Sequence, residues 1–143
     1  MTVTKKLRNI VLVDDNETTC FLNNRLLSRL DVADNVLVFT RAQQAYDFFW
    51  GEGRNLVDPM LSETPALVFV DLKMPGMDGF EFLQRYSALP AEVKARTVLT
   101  VLTTSMHAAD TARVAQYPDV EYLAKPLTEE KLNKLMSKRF AEV

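Results

Sequence analysis

Reactive side chains stand directly behind four apolar runs of this 143-residue sequence. Asp14 and Asp15 follow residues 10–13, Asp71 follows 66–70, Thr103 and Thr104 follow 98–102, and Lys125-Pro126 follows 120–124. If the first and third such runs pair as neighbouring strands, three carboxylates converge, and like charges so close repel unless a cation stands among them. A hard divalent cation relieves the conflict: oxygen-only ligands with room for water suit Mg²⁺ better than a soft transition metal. Each piece also has a plainer structural explanation. An Asp pair before a helix can cap it, Lys125 can be a snorkelling strand-end lysine, and threonine is common in strands. Asp71 is the hardest to explain this way, because a carboxylate is poorly suited to the end of a buried strand. The four strand ends share one pole, and in an open α/β sheet ligands bind outside the carboxyl ends of the strands.

Holding those ends together requires alternating strands and helices, and the hydrophobic pattern supplies both. Runs at 10–13, 36–39, 66–70, 98–102 and 120–124 have strand length and are rich in Val and Leu. They are continuously apolar, which fits strands covered on both faces in a parallel sheet. Helical stripes lie between them: Leu22, Leu26 and Leu30; then Ala42, Ala45, Tyr46 and Phe49; then Phe82, Leu83, Tyr86 and Leu89; then a weaker one over 108–116. The last helix has Thr128 as N-cap, Glu129 and Glu130 at its positive end and Leu127 stapled onto Leu132, with Leu135, Met136 and Phe140 facing inward. Five β-α units in succession predict one doubly wound α/β domain with right-handed crossovers. Residues 51–65 form the one long connection, read as a decorated loop or a short helical turn.

Composition narrows the chemistry. A single cysteine, Cys20, excludes an internal disulfide, and with a single histidine, His107, no Cys/His metal cage can be built. The net charge of −2 offers nothing to attract nucleic acid. No apolar stretch approaches the roughly 20 residues that span a bilayer, and the first residues lack the apolar core of a leader. The expectation is a cytoplasmic protein with no nucleic-acid or membrane partner.

The runs Val11-Leu12-Val13-Asp14-Asp15-Asn16, Val70-Asp71-Leu72-Lys73-Met74-Pro75-Gly76-Met77-Asp78-Gly79, Val101-Leu102-Thr103-Thr104-Ser105 and Tyr122-Leu123-Ala124-Lys125-Pro126 resemble the receiver domain of two-component response regulators. The likeness covers about residues 9–140, so the chain 1–143 reads as a single CheY-like receiver with no output domain. It implies a flavodoxin-like (βα)5 fold with a five-stranded parallel sheet in the order 2-1-3-4-5. Asp71 would be the phosphoacceptor. Asp15 would bind Mg²⁺ directly and Asp14 mainly through water, with Asp71 and the backbone carbonyl of Lys73 completing the protein ligands. Thr103 and Lys125 would bind the phosphoryl oxygens, Pro126 would be a cis-proline that aims Lys125, and Thr103 with Tyr122 would form the switch. Lys73 and Ser105 would flank the path of the attacking water and tune the lifetime of the phosphoryl group.

The resemblance further implies a phosphodonor, either a sensor histidine kinase or a phosphotransfer protein. It also implies a downstream protein partner on the surface of the fourth helix, fifth strand and fifth helix, where a phosphorylation-dependent homodimer is a further expectation. Ala108, Ala109 and Ala112 would allow close approach there, and Asp110, Arg113, Lys131, Lys134 and Lys138 would supply pairing charges. A turnover phosphohydrolase of the haloacid-dehalogenase type needs a second Asp two residues after its nucleophile, a position held here by Lys73. A flavin module needs a Ser/Thr-rich phosphate loop after the first strand, whereas Asp14-Asp15-Asn16-Glu17 would repel a phosphate lacking a metal. A pseudo-receiver usually lacks an acidic or lysine position, and none is lost here. The expected protein accepts and slowly hydrolyses its own phosphoryl group and is not a turnover enzyme.

Overall fold

In the computed structural model, which describes residues 7–51, 66–105 and 107–140, strands form on the continuous apolar runs. Strands β1 (Leu7–Val13), β2 (Ala33–Phe39), β3 (Leu67–Val70), β4 (Val98–Thr103) and β5 (Glu121–Ala124) alternate with helices α1 (Glu17–Leu30), α2 (Ala42–Trp50), α3 (Gly79–Ser87), α4 (Ala108–Ala115) and α5 (Glu129–Phe140). One extra turn of helix, Ala91–Lys94, precedes β4. The strands are ordered β2-β1-β3-β4-β5, and every pair is parallel. This is the doubly wound, flavodoxin-like sheet that the sequence pattern and the resemblance imply. Of residues 51–65, only Gly51 lies within the described residues.

Alternation along the strands divides the core between two faces. Val11, Val13, Val68, Val70, Leu99 and Val101 pack toward α2, α3 and α4, against Phe49, Phe82 and Val114. Ile10, Leu12, Leu67, Phe69 and Leu102 pack toward α1 and α5, against Leu27, Leu132 and Met136. Each fully buried side chain of this size contributes about 1.5–3 kcal/mol, so the central strands are the rigid frame on which the loops at their carboxyl ends are held. The last helix starts as expected: Thr128 Oγ1 accepts from the Lys131 N–H at 3.2 Å, and Leu127 and Leu132 share one core.

Two expectations are corrected. Strands β1 and β2 begin at Leu7 and Ala33, three residues before their apolar runs. The ladder continues through polar residues because Asn35 Nδ2 donates to Asn9 Oδ1 at 3.1 Å across the pair. Leu22, placed by pattern on the inner stripe of α1, is 54% exposed; the buried residues of that helix are Cys20, Asn23 and Leu27. A row at i, i+4, i+8 precesses by about 40° per step around a 3.6-residue helix. Leu30 and Leu26 therefore lie beside the core, and Leu22 has rotated out of it.

Candidate functional site

Register brings the strand-end residues together. Val13 pairs with Val70, so Asp14 and Asp71 leave adjacent strands side by side. The ladder hydrogen bonds run past both: the Asp14 N–H donates to the Phe39 carbonyl and the Asp71 N–H to the Val13 carbonyl, each at 3.1 Å. On the other side Thr103 pairs with Ala124, and its carbonyl accepts from the Lys125 N–H at 2.9 Å. Lys125 is thereby placed at the end of the sheet, and the Lys125-Pro126 peptide is cis.

The Lys125 ammonium lies between two carboxylates, 2.6 Å from Asp14 Oδ2 and 3.1 Å from Asp71 Oδ2. Burial by itself would lower the pKa of this lysine. The hydrogen bonds and charges of Asp14 and Asp71 outweigh it and hold the group above its ordinary value. Asp14 Oδ1 accepts from the Asn16 N–H at 2.9 Å, whereas Asp71 Oδ1 is buried without a hydrogen-bond partner. Asp15 is exposed, yet oxygens of Asp14, Asp15 and Asp71 all lie within 4.8 Å of one another. The Lys125 ammonium engages two of these three carboxylates, and a buried carboxylate oxygen lacks a donor. That donor set of hard oxygens around an unsatisfied anion fits a small divalent cation.

Beneath Cys20 Sγ, which donates to the Asp14 carbonyl at 3.2 Å, the same loop is fixed from α1. Burial, helped by the Asp14 charge, pushes the Cys20 thiol up to about 11, so it stays protonated and acts as a packing group. Helix α3 approaches from the other side. Its first residue, Gly79, donates its N–H to the Leu72 carbonyl at 3.0 Å, and a Cβ there would meet the Asp71 carbonyl oxygen at 2.4 Å. Only glycine allows the helix to sit this close to the backbone of Asp71.

A second polar cluster adjoins the first. Thr103 is fully buried, and its Oγ1 accepts from the Ser105 N–H at 3.2 Å. The Ser105 hydroxyl donates to Asp110 Oδ2 at 2.5 Å, and Asp110 also pairs with Lys73 Nζ at 3.5 Å. Tyr122 is half-buried against the α2–α4 core, and its hydroxyl donates to the Ser105 carbonyl. The ring is therefore already partly inside.

Asp14, Asp15 and Asp71 thus come together with Lys125 against Asp14 and Asp71, while Thr103, Tyr122 and, through Asp110, Lys73 are tied to one another at Ser105. Asp110, expected as a surface charge on α4, is instead buried and engaged with Ser105 and Lys73. A helix turn following Ser105 folds it back onto the loop, a contact that residue types alone do not announce. Of the other charges expected on that surface, Arg113 stacks 3.6 Å over the Phe80 ring, and Lys131 donates to the Ala124 and Pro126 carbonyls. Lys138 pairs with Glu121, and Lys134 pairs with Glu130. Ala108, Ala109 and Ala112 are exposed as expected. Among the described residues, no helix is long and apolar enough to cross a membrane.

Comparison with known proteins gives the same answer. Residues 10–137 match the family model of the response regulator receiver domain. The chain is 31% identical over 132 residues to a probable chemotaxis protein CheY of Rhizobium etli, covering 92% of this chain and 91% of that one. It is similar to the crystal structure of a response regulator receiver protein from Dyadobacter fermentans, with 26% identity, a TM-score of 0.74 and coverage of 92% and 96%. A two-component response regulator from Cytophaga hutchinsonii, at 24% identity, shares the fold with a TM-score of 0.75 over 94% of this chain and 97% of that chain. Sheet order, the acidic cluster facing a single lysine and the family match agree: the chain belongs to the response regulator receiver domain family of two-component signalling.

Proposed function

We propose that this chain receives a phosphoryl group on Asp71 from a histidine kinase or a phosphotransfer protein and signals through a changed α4–β5–α5 surface. The observation that carries the reading is the Lys125 ammonium shared by Asp14 and Asp71, with the second oxygen of Asp71 left without a partner. A carboxylate oxygen of Asp71 attacks the phosphorus of a phosphoimidazole. The P–N bond breaks, its electron pair returns to the donor nitrogen, and an acyl phosphate remains on Asp71. Asp14, Asp15, Asp71 and the Lys73 carbonyl would hold Mg²⁺, which when bound supplies positive charge to the phosphoryl oxygens.

The remaining steps belong to the chain's own side chains. Lys125 exchanges one carboxylate partner for a phosphoryl oxygen, a charge-assisted hydrogen bond in a mostly dry site. Thr103 donates its hydroxyl proton while its oxygen keeps the Ser105 N–H, since a hydroxyl can donate once and accept as well. The donor protein seats beside α1, where Leu22 lines a groove with Thr104, Lys125, Pro126 and Leu127. Lys73 stands where a turnover phosphatase would need a general acid, so hydrolysis is slow and the output is a surface. The protein works in the cytoplasm, where its donors present their phosphohistidines.

Mass spectrometry after incubation with acetyl phosphate and Mg²⁺ tests the reading. Wild type gains one phosphoryl group that is labile as an anhydride, and Asp71→Asn gains none. Full labelling of Asp71→Asn would refute the assignment.

A further inference from the structure

Ser105 is a junction. Its N–H donates to Thr103 Oγ1, its hydroxyl to Asp110 Oδ2, and its carbonyl accepts from the Tyr122 hydroxyl. Asp110 extends the junction to Lys73 Nζ, 3.5 Å away. The Asp110 side chain is 12% exposed and belongs to the first turn of α4, a helix whose buried residues are Asp110 and Val114. The Lys73 side chain is 65% exposed. One carboxylate thus joins the loop after β3, the loop after β4 and helix α4.

We infer that Asp110 is a positioning residue of the phosphoryl site: it holds the Lys73 ammonium and the Ser105 hydroxyl, and a phosphoryl group on Asp71 competes with it for Lys73. The inference rests on Asp71 being the phosphoacceptor. Lys73 is two residues beyond Asp71, and a phosphoryl group brings about 1.5–2 negative charges and three strong acceptor oxygens. The long exposed lysine can turn from one anion to the other with little packing to undo. When Lys73 leaves, Asp110 keeps its hydrogen bond from Ser105, and the first turn of α4 is less tightly tied to the β3 loop. Phosphoryl binding and the position of α4 therefore draw on one cation, and the coupling must act in both directions.

Asp110→Asn keeps an acceptor for Ser105 and removes the charge that holds Lys73. Calorimetric titration with beryllofluoride at saturating Mg²⁺ should show binding tighter by about 2- to 5-fold, the range of an exposed ion pair. The half-life of the Asp71 phosphoryl group, followed by intact mass, should lengthen in the same direction. In a Lys73→Met background the same substitution should change neither quantity, which separates action through Lys73 from a general effect on the fold. Unchanged affinity in Asp110→Asn, or an equal change without Lys73, would overturn the inference. A labelled wild type with an unresponsive Asp110→Asn refutes this inference alone, whereas a wild type that takes no label refutes the phosphoacceptor reading beneath it. Should Asp110→Asn fail to fold, Lys73→Met in the wild-type chain decides: weaker beryllofluoride binding supports the competition, and unchanged binding overturns it.

Discussion

Replacing Lys125 with methionine probes the charge balance of the site most directly. The side chain is 13% exposed and its ammonium lies 2.6 and 3.1 Å from Asp14 and Asp71. Removing one member of such a buried set leaves uncompensated charge and costs about 3–5 kcal/mol. The lower end applies, because Asp14 Oδ1 keeps its hydrogen bond from the Asn16 N–H. At about 3 °C per kcal/mol for a chain of this size, the metal-free variant should melt roughly 10 °C below wild type. Mg²⁺ should then bind the variant more tightly, since the competing ammonium is gone. At roughly 5 Å and an effective dielectric between about 20 and 80, one unit charge acts on another with about 1 to 3 kcal/mol, so a tenfold gain in affinity is a modest expectation. At a Mg²⁺ concentration one hundred times the wild-type dissociation constant, wild type gains about 2.7 kcal/mol and the variant about 4.1. The gap in melting temperature should therefore narrow by about 4 °C. Differential scanning calorimetry with chelator and with Mg²⁺ measures both numbers. A metal-free variant melting within about 3 °C of wild type, or a gap that Mg²⁺ leaves unchanged, would refute the charge argument.

Further predictions follow from individual contacts. Gly79→Ala places a Cβ 2.4 Å from the Asp71 carbonyl oxygen; the helix must retreat, at a cost of about 1–3 kcal/mol or more, and phosphorylation of Asp71 should slow although no reacting group is touched. Asp15→Ala should abolish most of the Mg²⁺-dependent rise in melting temperature and Asp14→Ala rather less; equal residual stabilisation in both would count against Asp15 as the direct ligand. Glu121, though its burial opposes the charge, is held below its ordinary pKa by Lys138 and Arg139. Its contribution is complete above the unfolded-state value of about 4.3 and is lost as pH falls through the lower folded value. Glu121→Gln should therefore flatten the acid limb of a stability-against-pH curve below about pH 4. Lys125, with its raised pKa, contributes fully below the ordinary lysine value of about 10.4 and loses that contribution as pH rises through the folded one. Wild type should thus lose stability in strong alkali in a way that Lys125→Met does not.

Much of this protein is legible along the chain because the signals are local. A continuously apolar run such as 66–70 reads as a buried parallel strand, and the residue that terminates it, Asp71, stands out because no packing argument explains it. The start of α5 is equally plain, since Thr128, Leu127 and Leu132 act within about one turn of each other. The resemblance of the strand ends to receiver domains lies in the same feature: reactive residues at fixed offsets from apolar runs.

Local pattern is therefore enough for the element order and for gathering Asp14, Asp15, Asp71, Thr103 and Lys125 at one pole of the sheet. Tertiary structure alone decided which charges meet. Lys125 divides itself between Asp14 and Asp71 because β4 and β5 carry it over the end of β1 and β3, a consequence of strand order and register that no local pattern encodes. Leu22 turned outward because helical phase accumulates over three turns, and the apolar stripe alone does not say which end faces the core. Asp110 looked like any solvated charge on a helix face. It became part of the site because the β4–α4 loop folds α4 back onto Ser105 and Lys73, and residues brought together from 37 positions apart leave no trace in composition or periodicity.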